Sequence, residues 1–156
     1  MTLIRLILNM GVRKMENKYE LSALILRVVL GVSFFIHGVA KFQGGIENTV
    51  GWFGSIGLPG FLAYGVALIE VVGGLAVILG LFTRWISILF VLLMVGAIVK
   101  VKLAAGFLGN GQMAGYELDL AFVAMAASIA ITGSKFYALD QMIFKGRKTE
   151  NRTTTN

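Results

Sequence analysis

The sequence predicts an all-α integral membrane protein, a four-helix bundle with a short interfacial helix between its first and second spans. Three observations carry that expectation. Of 156 residues, 57% are hydrophobic and 14% charged, with a single proline, and the mean hydropathy is +0.83, the profile of a chain solvated by lipid. Four apolar runs approach the length of about 20 residues that crosses about 30 Å of hydrocarbon at 1.5 Å per residue. Lysine and arginine gather at the ends of those runs.

The same composition removes several function classes. A net charge of +6 and an isoelectric point near 9.8 would draw nucleic acid to a soluble protein. Here the basic residues flank apolar spans, where they set orientation and meet anionic headgroups, so membrane lipid is the expected partner and nucleic acid is not. With no cysteine and one histidine, the chain supplies no thiolate metal or iron–sulfur ligands and no bis-histidine haem site of its own. Nothing in the sequence specifies an oligomeric state.

Residues 1–20 read as a cytoplasmic N-terminal tail, too basic and too short in its apolar run for an ordinary cleavable signal. Met15, directly before the first span, is a second candidate start. The spans expected are Leu21 to Phe42, Leu58 to Phe82, Trp85 to Val101 and Tyr116 to Thr132. Between the first two, Ile46, Val50, Phe53 and Ile56 recur at helical spacing beside Trp52, which predicts the interfacial helix, ending at Gly57. Pro59 suits a helix start. Thr83 and Arg84 are the expected hairpin connection, and the Gly-rich LAAGFLGNGQMAG an irregular loop. Residues 145–156 read as a basic, disordered cytoplasmic tail.

Orientation follows from the basic residues. Arg5, Arg13, Lys14, Lys18, Arg84, Lys135, Lys145, Arg147, Lys148 and Arg152 fall on one side, and Lys41, Lys100 and Lys102 on the other. Both termini are therefore expected on the cytoplasmic side of a membrane crossed several times.

The first span nevertheless holds ionisable residues, which in hydrocarbon pair, line a cavity or mark a function. Arg27, Gly31, Phe34, Gly38 and Lys41 form one stripe at helical spacing, with His37 about 40° from Lys41. Ala63, Ala67, Glu70 and Gly74 form a matching stripe on the second span. An Arg27–Glu70 structural ion pair is expected across them, since a guanidinium arm is long.

A second cluster lies towards the other face. His37, Lys41, Lys100, Lys102, Glu117 and Asp119 fall at similar depth on three helices. Lys100, Lys102 and Asp119 read as residues reaching to the interface. Glu117 and Asp119 are about 200° apart, so at most one points fully inward, and the small residues behind them do not choose. His37 and Lys41, as proton or hydrogen-bond donors, and Glu117, as acceptor, are the candidate catalytic residues. Histidine is the residue type whose ordinary titration lies near neutrality. Phe34, Phe42 and Trp52 are candidate walls for a flat amphipathic ligand, for which a quinone or phenol suits aromatic surface with a few convergent donors. No metal-ligand spacing is present.

These residues also carry a resemblance. Arg27, Gly31 and Phe34, then HGVAKF (37–42), IGLP (56–59), IEVVGGLAVILGLFTR (69–84), Glu117 in YELDLAF and the TGSKFYALD ending in Leu139–Asp140 occur in an order and spacing similar to the DoxX family. Its members are small four-helix bacterial membrane proteins, often named oxidoreductases. The match covers roughly residues 24–144, within one expected membrane domain of residues 21–144, and implies a bacterial cytoplasmic membrane. The chain departs from the pattern at Lys100 and Lys102, where members often carry a histidine, and at Lys135 to Ala138 within the family's GxGRYSLD turn. The resemblance implies association with thiosulfate:quinone oxidoreduction, oxidative-stress complexes or catechol and quinone detoxification.

The functional expectation is a membrane component of a redox or detoxification system that binds a quinone- or catechol-like compound. No dinucleotide fingerprint or thiolate supports an intrinsic cofactor, so flavin, iron or haem would come from a partner. The competing classes are a non-enzymatic scaffold recruiting a soluble redox enzyme at the cytoplasmic face, and a small-molecule permease.

Overall fold

A computed structural model describes residues 2–134, 136 and 138–140. Among these the chain is helical apart from its connections, the longest of which is residues 106–116, with no strand beyond an isolated bridge between Gly109 and Ala114. Five helices follow in order: α1 (Thr2–Gln43), α2 (Ile46–Ser55), α3 (Phe61–Leu79), α4 (Thr83–Ala105) and α5 (Glu117–Thr132).

Three of them hold segments long and apolar enough to cross a membrane: Met10–Gln43 within α1, α3 and α4. Helix α5, at 16 residues, is about 24 Å long. Of the four spans expected, three are helices of membrane-crossing length, and the segment expected as the fourth forms the shorter α5. Helix α1 has 42 residues and extends about 63 Å, so the helix runs straight through the boundary expected at residue 20. The predicted tail 145–156 lies outside the described residues. The α3–α4 connection is Gly80–Phe82 instead of Thr83–Arg84, which form the first turn of α4. Gly80 ends α3 at φ 74°, and an added Cβ there would lie 2.8 Å from Arg27 Nη1; a left-handed cap with no room for a side chain requires glycine.

Apolar side chains point both ways. Leu30, Phe34, Val77, Phe90, Ala126 and Ile129 form the core, where the Phe34 and Phe90 rings stack with centroids 3.7 Å apart. Ile25, Ile36, Leu68, Val72, Trp85 and Leu92 are each more than half exposed, an outer apolar surface far larger than a water-soluble monomer carries.

Helices α1 and α3 run antiparallel at backbone contact. A Cβ on Gly74 would sit 2.6 Å from Phe35 N, and one on Gly38 would sit 2.8 Å from Val71 N. Small residues permit that approach between helices in lipid. Helix α5 packs against both α4 and α1, and Arg84 Nε donates to Ala130 O at 3.1 Å while its Nη2 donates to Ile131 O. A cation thus occupies the carbonyl end of α5.

Candidate functional site

Buried polar residues collect at the two ends of the bundle. At the end holding the α3–α4 turn, Arg27 is 1% exposed. Its Nη1 donates to Ser134 Oγ at 3.3 Å and lies against Gly80. The segment after α5 folds over it: Asp140 N donates to Gly80 O and Phe136 N to Glu20 Oε2, both at 3.3 Å. Arg27 is therefore enclosed by chain on every side.

The opposite end is built around a cavity of about 590 Å³. Helix α1 brings Phe34, His37 and Lys41; α2 brings Trp52 and Phe53; α3 brings Glu70; α4 brings Lys100 and Lys102; α5 brings Asp119 and Phe122. Glu70 is 4% and Asp119 6% exposed. A carboxylate so far from water needs a cationic or hydrogen-bonding partner. Each has one: Lys41 Nζ is 2.5 Å from Glu70 Oε2, and Lys102 Nζ is 2.5 Å from Asp119 Oδ2. Both lysines remain about a quarter exposed. Three lysines against two carboxylates leave this cavity positively charged.

Local backbone geometry places these groups. Helix α3 contains a π turn at Ile69–Gly73 around Glu70, and α4 another at Ile98–Lys102 holding Lys100 and Lys102. A π turn inserts one residue and shifts the following side chains around the axis. The adjacent glycines 73 and 74 are both buried because they face different helices, Gly73 towards Ile86 and Phe90 of α4 and Gly74 towards Gly31 and Phe35 of α1.

The expected site is corrected in four respects. Glu70 pairs with Lys41 instead of Arg27; the helix register sets Arg27 opposite Gly80, ten residues or about 15 Å from Glu70 along α3. Glu117 is exposed and Asp119 is the inward carboxylate, on the buried face continued by Ala126 and Ile129. Lys102 and Asp119 form a pair inside the bundle instead of simply reaching for the interface. Phe42 is 46% exposed and stands outside the cavity wall.

The other predicted residues do converge. Phe34 forms part of the wall and is locked on its far face by Phe90. His37 lies edge-on to Phe122, with ring centroids 6.5 Å apart and planes 78° from parallel. Trp52 stands edge-on to Phe53 at 5.5 Å, on an α2 held to α3 by Tyr64, whose hydroxyl donates to Glu47 Oε1 at 2.6 Å. The arrangement offers donors and acceptors at one end of a ring-lined chamber, which can orient a flat ligand and exchange protons with it. The pairing of Lys102 with Asp119 had one sequence signal, the helical spacing of Asp119, Phe122, Ala126 and Ile129, a stripe that pairs an acid with bulky core residues.

Comparison with known proteins fits this architecture. The DoxX family profile matches residues 22–103. A Bacillus subtilis protein named "Putative oxidoreductase CatD" is 47% identical over 137 residues, 88% of this chain and 98% of its own. The Mycobacterium tuberculosis "Uncharacterized membrane protein Rv3486" is 32% identical over 80% of this chain and 82% of its own. The Escherichia coli "Inner membrane protein YqjF" is 26% identical over 84% and 98%. No solved structure matches the chain. With a family profile across more than half of its length, membrane-length helices and relatives named as membrane proteins, this chain is a membrane protein of the DoxX family.

Proposed function

We propose that the chain is the ligand-binding membrane component of a redox or detoxification system and that its ligand is a quinone- or catechol-like ring. The observation that carries this reading is the single chamber in which Trp52, Phe53, Phe34 and Phe122 face the two lysine–carboxylate pairs. Its volume of about 590 Å³ falls within the range of small-molecule sites, where apolar walls supply contact and a few polar groups fix orientation. His37 and Lys41 donate to ring oxygens, and Asp119, in place of Glu117, is the second carboxylate acceptor. Electrons are carried by a redox partner that brings its own cofactor, since this chain has no cofactor motif. The count of basic residues orients the Arg27 end, both termini included, towards the cytoplasm and the chamber towards the outer leaflet. In this topology α5 completes the fourth crossing, and α2 lies along the interface with Trp52 as its anchor.

The test is purification in native lipid followed by mass spectrometry of bound small molecules. Wild type is expected to retain a quinone or phenol that Lys41→Met loses. Equal ligand content in the two proteins, or no ring compound in either, would refute the reading.

A further inference from the structure

Helices α3 and α4 meet closely only near their connecting turn, where the Gly74–Leu79 part of α3 packs on α4 and an added Cβ on Gly73 would lie 3.1 Å from Ile86 and Phe90. Beyond that level the two helices are opposite walls of the chamber, Leu62 and Val66 on one side and Leu89, Leu92 and Gly96 on the other. These walls face outwards as well as inwards: Leu62 is 39%, Leu89 43% and Leu92 63% exposed. Gly96 is exposed, and a side chain added there would meet nothing within 4 Å. The chamber thus continues, without a polar residue among these five, into an aliphatic cleft that opens on the side of the bundle, in the middle of two helices of membrane-crossing length.

We propose that this cleft is a lateral entrance from the bilayer and that the ligand is a lipid-tailed amphiphile, its polar ring between the lysine–carboxylate pairs and its hydrocarbon tail lying between α3 and α4. The inference rests on the ring-binding reading above and adds the class of molecule and its route. Two features argue for a tail in place of a packed helix or a water-soluble ligand. The cleft is continuous with a charged chamber, so its occupant must be polar at one end and apolar along the rest. The charge in the chamber is positive while the cleft carries none, a gradient that orients an oxygen-rich head inwards. A tail gains little by leaving lipid for an aliphatic cleft, since both are apolar; its role is to deliver the head at the high local concentration of a membrane-dissolved compound.

The test uses full-length protein in lipid nanodiscs with Trp85→Phe, which leaves Trp52, in the chamber wall, as the reporting tryptophan. The probes are a quinone bearing a ten-carbon alkyl tail and the same quinone without it, with concentrations expressed as mole fraction in the lipid. Gly96→Phe fills the cleft from a position with open space, so the helix itself is not overpacked. Filling the tail's path is expected to weaken the tailed quinone about tenfold or more, and the tailless one less than about twofold. Equal effects on both probes, or none on either, would overturn the lateral entrance. A change in oligomeric state on Gly96→Phe with quenching by both probes unchanged would mean that a second copy covers the cleft, which also overturns it. If neither quinone quenches Trp52 saturably, the ring reading fails on its own. The lateral cleft is then judged with a fluorescent polyene fatty acid: binding that Gly96→Phe weakens about tenfold sustains the tail inference, and binding indifferent to that substitution ends it.

Discussion

The two ends of the bundle solve the same problem, a charged side chain inside an apolar protein, in opposite ways. At the turn end Arg27 is 1% exposed and covered by Gly80, Ser134 and the returning segment that follows α5. At the other end Glu70 and Asp119 are equally withdrawn, but their lysines are partly exposed and the space beside them is a chamber of about 590 Å³. Filled space with a fixed cation holds helices in register. A pair bordering a ring-lined cavity presents polar groups at an apolar wall, the arrangement on which the proposed ligand site rests. Burial of charge alone therefore does not distinguish the two ends; the cavity beside the lysine–carboxylate pairs does.

The largest effect should come from the closed end. Arg27→Ala removes a fully enclosed cation and opens a void, and is expected to cost about 3 kcal/mol or more, read as a large drop in thermal midpoint in detergent. Gly74→Ala should follow, at about 1–3 kcal/mol, because its new Cβ would meet Phe35 N at 2.6 Å; a midpoint unchanged by this substitution would show that α1 and α3 are not in backbone contact.

At the open end the order of effects reverses. Replacing both members of a buried pair by apolar residues costs little stability, so Lys41→Met with Glu70→Met should shift stability by less than about 1 kcal/mol and weaken quinone quenching of Trp52 about tenfold. Asp119→Asn should weaken it about fivefold while the exposed Glu117→Gln changes it less than twofold; the reverse ranking would restore Glu117 to the site. The smallest effect, about threefold, is expected for His37→Ala, which removes one ring donor at the chamber edge.

How much of this was legible in the sequence divides along the same line. The stripe Arg27, Gly31, Phe34, Gly38 and Lys41 was readable because an α-helix repeats its faces and lipid penalises a charge on the wrong one. The facing stripe of Ala63, Ala67, Glu70 and Gly74 was readable for the same reason, and all four are buried. The pairing between stripes was not readable. It depends on register, and Glu70 had two basic candidates on α1, of which the contact of Gly38 with Glu70 and Val71 selects Lys41. Nor were the π turns at 69–73 and 98–102, since the shift made by one inserted residue is small beside the width of an apolar face. Asp119 was misjudged because the residues behind both acids are small, and only Phe122 and Ile129, read as core, separate the two faces.

The central claim is that the two ends are separable, one holding the bundle and the other holding a ligand. Its most direct measurement is thermal midpoint and Trp52 quenching by a tailed quinone, taken on the same nanodisc samples of wild type, Arg27→Ala and the Lys41→Met, Glu70→Met pair. The account predicts a crossed result: Arg27→Ala lowers the midpoint and, below it, binds the quinone within about twofold of wild type, while the pair variant keeps its midpoint and binds about tenfold more weakly. Parallel losses in both variants, stability and binding falling together, would contradict it.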